Sequence, residues 1–157
     1  MNRFRRLRQN IKIRDLVAET SLSVNDLIYP LFVIEGNDIE EKVDSMPGVA
    51  RYSIDRLDAI LDKLAERKIP GILIFGIPEK KDSIGSAAYD DNGIVQRAIK
   101  YIKVRYPDLI VIADICLCEY TDHGHCGIVK NGEIIAAAHN RKETDNTWIL
   151  RVIVILC

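Results

Sequence analysis

Fourteen consecutive residues, Asp114-Ile-Cys-Leu-Cys-Glu-Tyr-Thr-Asp-His-Gly-His-Cys-Gly127, hold three of the chain's four cysteines and two of its three histidines. The thiols fall at Cys116, Cys118 and Cys126. Zinc takes thiolate and imidazole donors, and a catalytic zinc keeps three protein ligands and one open position. Three cysteines supply that set. A soft, all-sulfur donor set favours zinc (Zn2+) over magnesium or calcium. The bland alternative is three reduced thiols with no metal. His123 and His125 could each be a ligand, a proton donor or a solvated loop residue. His125, beside Cys126, is the better candidate for a second metal contact. Asp114 reads either as a carboxylate facing substrate or as a strand-end acid. Cys157 and His139 read as incidental.

These residues must be brought together by the elements around them. Leu109 to Ala113 is an apolar run of strand length leading straight into the stretch. Side chains alternate along a strand, which predicts that Asp114, Cys116 and Cys118 point the same way. A glycine-containing loop then returns Cys126. Upstream, Leu27–Ile34 and Gly71–Phe75 are further apolar strands, with Pro30 near a strand start or bulge. Apolar spacing predicts a short helix over 11–20. A second helix carries Ile54, Leu57, Leu61 and Leu64, capped by Ser53 and stopping before Pro70. A third carries Ile94, Val95, Ala98, Ile99 and Ile102, capped by Asp91 or Asn92. Residues 35–52 read as irregular with room for a small hairpin. Residues 76–92 form a long polar loop of the kind that follows a strand at a functional site.

The order β-α-β-α-β implies a parallel sheet with helices outside it. No Gly-x-Gly-x-x-Gly follows a strand, which argues against a dinucleotide fold. The other large parallel class is the (β/α)8 barrel, whose sites lie at strand ends, where Asp114 and the cysteines fall. A full barrel needs about 250 residues. The 157 residues here predict an incomplete barrel of three to four β/α units.

Nearly half the residues are hydrophobic and the net charge is −1, as in a soluble globular domain. No apolar run reaches the roughly 18 residues of a membrane span, and no signal-peptide core is visible. The expectation is a cytoplasmic protein with reduced thiols and no membrane partner. Arg3, Arg5, Arg6, Arg8, Lys12 and Arg14 precede the first acid, Asp15. Without stacking aromatics or a second basic patch, this reads as an arm that docks on a partner subunit or stays solvated, and no nucleic-acid partner is expected.

At these residues the sequence resembles porphobilinogen synthase, also called delta-aminolevulinic acid dehydratase, in its zinc form. The metal stretch carries the likeness. So do Arg5-Arg-Leu-Arg8, Asp26-Leu-Ile-Tyr-Pro-Leu-Phe32, Ser45-Met-Pro-Gly48, Phe75-Gly-Ile-Pro78, Gly85-Ser-Ala-Ala-Tyr-Asp90, Gln96-Arg-Ala-Ile99 and Tyr106-Pro-Asp108. It runs from about Arg3 to Glu133. The resemblance implies a (β/α)8 TIM barrel with an N-terminal arm over 1–26 and the first part of the barrel over 27–133. It implies assembly through the arm into homo-octamers. It implies condensation of two 5-aminolevulinate molecules into porphobilinogen, with Cys116, Cys118 and Cys126 as zinc ligands. Asp114 matches an active-site acid, and His125 a position linked to a second zinc in some members.

One departure is large. The family's Schiff-base lysines lie on later strands, beyond any matching position here. Lys63, Lys68, Lys100 and Lys103 fall on helices or at their ends, and Lys80, Lys81 and Lys130 in loops. The family would place a helix after Glu133, but residues 134–157 do not match one. Trp148 to Cys157 is apolar and β-prone, an aggregation hazard if unpaired. The segment reads as a divergent tail from a shifted or truncated reading frame, or as a fragment. Two readings follow: a synthase-family chain inactive alone, or a non-catalytic zinc-binding remnant or partner of an intact subunit.

Overall fold

A computed structural model of the chain describes residues 5–131, 133–136 and 152–156. Six strands form one mixed sheet: β1 (Ile28–Ile34), β2 (Glu40–Lys42), β3 (Ala50–Tyr52), β4 (Gly71–Ile77), β5 (Ile110–Ile115) and β8 (Val152–Leu156). Their spatial order is β2-β3-β1-β4-β5-β8. β3, β1, β4, β5 and β8 run parallel, and β2 is antiparallel to β3 at one edge. β6 (Ile128–Lys130) and β7 (Glu133–Ala136) make a separate antiparallel hairpin. The expected parallel core is present, and the hairpin allowed for within 35–52 is β2 and β3.

The apolar runs become the central strands, buried completely on the face that packs with the helices and half-buried on the other, where Phe32, Leu73 and Phe75 lie. Leu31, Val33, Ile72, Ile74 and Val111 are fully buried. Phe32 and Phe75, paired in register, stack with ring centroids 5.0 Å apart. α2 (Leu57–Glu66) buries Leu57, Leu61 and Leu64, spaced one helical face apart. α3 (Ile94–Arg105) buries Ile94, Val95, Ala98, Ile99 and Ile102. The two helices are tied side by side. The Tyr101 hydroxyl donates to Asp58 at 3.0 Å and the Tyr106 hydroxyl to Asp62 at 2.7 Å. Arg105 lies over the Tyr101 ring. At the end of α3, Lys103 Nζ donates to the carbonyls of Pro107 and Leu109, fastening the helix to the turn that enters β5.

Several local expectations are corrected. α1 (Ile11–Leu16) is capped by the Asn10 side chain and stops at Leu16, short of residue 20. With Ile11, Leu16 and Val17 exposed, no buried face extends it. Ser53 does not cap α2. Its fully buried hydroxyl instead accepts from the Ile39 amide, and a 3-10 turn over Ile54–Arg56 starts the helix. Neither Asp91 nor Asn92 caps α3. Gly93 occupies that position, and Asp90 accepts from the Asn92 amide. α2 does end before Pro70. Ile69 N–H reaches Leu64 O and Lys68 N–H reaches Ala65 O, with Lys68 in the left-handed region usually given to glycine.

The described residues from Glu133 onward are strands. Glu133–Ala136 closes the hairpin with β6, which carries Lys130 on a strand and not in a loop. The backbone of Val152–Leu156 is paired with β5, from Val111↔Val152 to Ile115↔Leu156. Trp148, His139 and Cys157 lie outside the described residues.

Candidate metal centre

β5 ends at Ile115, so Cys116 and Cys118 lie beyond the strand. Strand alternation therefore does not bring the thiols together, contrary to the sequence expectation. The chain turns instead: Tyr120 and Thr121 both donate their amides to Leu117 O at 2.9 Å. This tight turn folds Cys118 back beside Cys116, with their Sγ atoms 2.9 Å apart. Cys126 then returns to 2.8 Å from Cys116. All three sulfurs lie within 4.8 Å of one another. Tetrahedral zinc, with Zn–S bonds of about 2.3 Å, sets sulfurs roughly 3.8 Å apart. Cys116 lies closer to each of the other two sulfurs than that spacing, so a bound ion would part them by about 1 Å, and three thiols converging on one point are the donor set of a thiophilic cation.

Burial grades the three thiols. Cys116 is buried, Cys118 half-buried and Cys126 exposed. Burial pushes the Cys116 thiol up to about 12, and its bonds to the other two sulfurs push the same way. Burial also raises Cys118. Cys126 is lowered, chiefly by the hydrogen bond it receives from Cys116. The exposed thiol is thus the one best placed to carry negative charge in the metal-free cluster.

Two carboxylates flank the cluster. Asp114, on β5, is half-buried. Burial pushes the neighbouring Glu119 up to about 7, with Asp114 adding to the shift and Lys81 opposing it. His125 lies beside Cys126 in sequence, yet no imidazole belongs to the cluster found among the described residues. The His123 and His125 rings stack, with centroids 5.7 Å apart, and the His125 amide donates to His123 Nδ1.

The long loop after β4 touches the cysteine loop, a contact that its length and polarity alone did not predict. Asp82 N–H donates to Tyr120 O, and Asp122 N–H donates to Asp82 O. Thr121 is 2% exposed and its hydroxyl donates to the His125 carbonyl at 3.1 Å. Gly76 on β4 leaves room for Tyr120, because a Cβ there would stand 2.7 Å from the Tyr120 hydroxyl. The run Asp82-Ser-Ile-Gly85-Ser86 carried a usable signal, an Asp opening a turn closed by a left-handed glycine.

The chain is similar to known proteins in sequence and in fold. The family model for delta-aminolevulinic acid dehydratase matches residues 1–147. The dehydratase of Methanothermus sociabilis is 59% identical over 133 residues, covering 85% of this chain and 41% of that protein. That of Halalkalibacterium halodurans is 54% identical over 133 residues, covering 85% and 40%. The crystal structure of Toxoplasma gondii delta-aminolevulinic acid dehydratase (porphobilinogen synthase), in complex with the product porphobilinogen, superposes with a TM-score of 0.78 at 32% identity. It is matched over 86% of this chain and 39% of its own. The chain therefore spans about two fifths of the length of these relatives.

Proposed function

The chain belongs to the delta-aminolevulinic acid dehydratase family of lyases, and on that premise we propose that it carries the metal half of an active site that condenses two 5-aminolevulinate molecules into porphobilinogen and two waters. The observation that carries this reading is the convergence of Cys116, Cys118 and Cys126 on one point just beyond β5. A site at the end of a parallel strand is where barrel enzymes place their chemistry.

The three thiolates hold zinc, which supplies Lewis acidity toward a substrate oxygen when bound. Asp114 lies two residues before the first ligand, where its carboxylate faces the substrate amine or carbonyl. Burial of Cys116 keeps water from that side of the cluster. His125 remains a candidate for a second zinc contact beside Cys126.

The condensation needs a lysine that forms a Schiff base with substrate, and such a lysine needs a desolvated position at a strand end. Lys63, Lys100 and Lys103 are on helices, and Lys103 is held by two carbonyls. Lys80 and Lys81 lie in the loop after β4, and Lys130 on the outlying hairpin. Lys12, Lys42, Lys63, Lys68, Lys80, Lys81 and Lys100 are all exposed, so none of these described lysines has a desolvated position, and the reading is a chain that binds metal without completing the reaction on its own. We assign 1–26 as an arm for assembly with further subunits, 27–133 as the first part of a (β/α)8 barrel, and 134–157 as a divergent tail. The compartment that suits reduced thiols is the cytoplasm. Among the described residues no helix is long and apolar enough to cross a membrane.

Two measurements test this reading. Metal analysis after dialysis under reducing conditions is expected to find zinc near one per chain. A metal-free result removes the cysteine site. Addition of 5-aminolevulinate and borohydride is expected to leave the chain mass unchanged. A stoichiometric adduct on a lysine overturns the assignment of inactivity. The alternative, a non-catalytic zinc-binding remnant or partner of an intact subunit, predicts the same two results. It differs in that adding an intact relative lacking its own cysteine site restores no turnover.

A further inference from the structure

We propose that Asp82, outside the cysteine stretch, is the positioning residue that holds the cysteine loop shut, setting Cys126 against Cys116 and Cys118. The inference deepens the zinc reading and rests on it.

The Asp82 carboxylate organises its own turn. Oδ1 accepts the amides of Ile84 and Ser86, both at 3.0 Å, and Oδ2 accepts the Ser86 hydroxyl. Gly85 closes the turn at φ +64°. The turn so fixed presents its backbone to the cysteine loop. Asp82 N–H donates to Tyr120 O at 3.3 Å, and Asp82 O accepts from Asp122 N–H at 3.1 Å. These bonds bracket Thr121, which Asp82 meets as an isolated parallel bridge. Thr121 in turn donates its hydroxyl to the carbonyl of His125, the residue before Cys126. A second tether runs from the His123 ring to Ser83 O. The loops also touch: a Cβ on Gly85 would stand 3.1 Å from Leu117 Cδ2.

Cys126 needs such a clamp. It is the exposed thiol, and the segment that brings it back includes Gly124 in the left-handed region with open space around it. Closing a flexible segment costs conformational entropy. A loop already closed when metal arrives avoids that cost, and groups supporting metal ligands typically change affinity by about 10- to 100-fold. Without the carboxylate, the Ile84 and Ser86 amides lose their acceptor and the turn loses its reason to hold one shape.

The test uses the full chain under reducing conditions. Zinc affinity is measured against a chromophoric chelator, and cobalt(II) reports the ligand set through its thiolate charge-transfer and visible bands. Asp82→Ala is expected to bind zinc at least about tenfold more weakly than wild type, with a cobalt(II) spectrum altered in the direction of Cys126→Ser. Asp82→Asn keeps an acceptor for the two amides and is expected to restore both readouts. Unchanged affinity and spectrum in Asp82→Ala overturn the proposal, as does an Asp82→Asn variant no better than Ala. Where Asp82→Ala does not melt cooperatively, Thr121→Val decides: weakened zinc binding supports the clamp and wild-type binding overturns it. A wild-type chain that binds neither ion overturns the zinc reading and this inference together. A wild type that binds, beside an Asp82→Ala that binds equally, overturns this inference alone.

Discussion

Cys126 Sγ stands 2.8 Å from Cys116 Sγ, although nine residues of chain loop out and return between them. Cys116 closes the last turn of backbone off β5, whereas Cys126 arrives on a loop tied to the neighbouring strand's loop. The first thiol is fixed by the sheet and the third by contacts between loops.

That difference predicts unequal consequences of removing each thiol. Cys126→Ser is expected to lower zinc affinity by at least about tenfold and leave metal-free stability within about 0.5 kcal/mol of wild type, since its side chain is exposed. Cys116→Ser is expected to lose zinc and also to destabilise the metal-free fold, because a hydroxyl replaces a buried sulfur. Chelator competition and urea unfolding of each variant check the pair of outcomes.

Gly76 should not tolerate a side chain. A Cβ there would meet Val95 Cγ2 at 2.4 Å and the Tyr120 hydroxyl at 2.7 Å, both on packed elements. Gly76→Ala is expected to cost about 1–3 kcal/mol in urea unfolding. It should also weaken zinc binding, because Tyr120 belongs to the turn between Cys118 and Cys126. A variant as stable as wild type would show that α3 and the cysteine loop yield easily.

The acid limb of stability has a defined sign. The Ser23 amide holds Asp26 below its usual 3.8, the Ser53 hydroxyl beside it lowers Asp55, and the Ser86 hydroxyl lowers Asp82. A carboxyl depressed by folding stabilises the fold above its unfolded value, and that contribution is lost as pH falls through the folded value. Metal-free stability is therefore expected to fall below about pH 4. Asp55, which accepts the Asp38 amide at 2.8 Å, supplies the clearest variant. In Asp55→Ala the difference in urea midpoint between about pH 6 and about pH 2 should shrink; an unchanged difference would assign the acid limb elsewhere.

The two outer strands of the sheet predict where association begins. β2 presents Glu40, Glu41 and Lys42, charges that discourage pairing with another chain. β8 reads Val152-Ile-Val-Ile-Leu156, with no charge. Light scattering is expected to report species larger than one chain, and Val154→Lys to shift them toward monomer. Unchanged assembly in that variant would point to the arm instead.

The apolar runs of β1, β4 and β5 and the helical spacing of α2 and α3 were legible in the sequence, because periodic burial is a local property of composition. So were the metal stretch and the family, since the donor types and their order survive without coordinates. The caps at Ser53 and at Asp91 or Asn92 differ from the sequence expectation for two reasons, a tertiary partner at the first and a helix start one residue later at the second. The buried Ser53 hydroxyl went to the Ile39 amide, and Gly93 took the other position. The alignment of Asp114, Cys116 and Cys118 on one strand face failed for a related reason: the backbone left the sheet at Ile115 and a turn took over. The sequence by itself determined which atoms could bind a metal and which strand would deliver them. Only the tertiary structure decided that a turn, and a second loop anchored by Asp82, bring the three sulfurs to one point. Convergence of that kind depends on hydrogen bonds between segments far apart in the chain, to which local periodicity is blind.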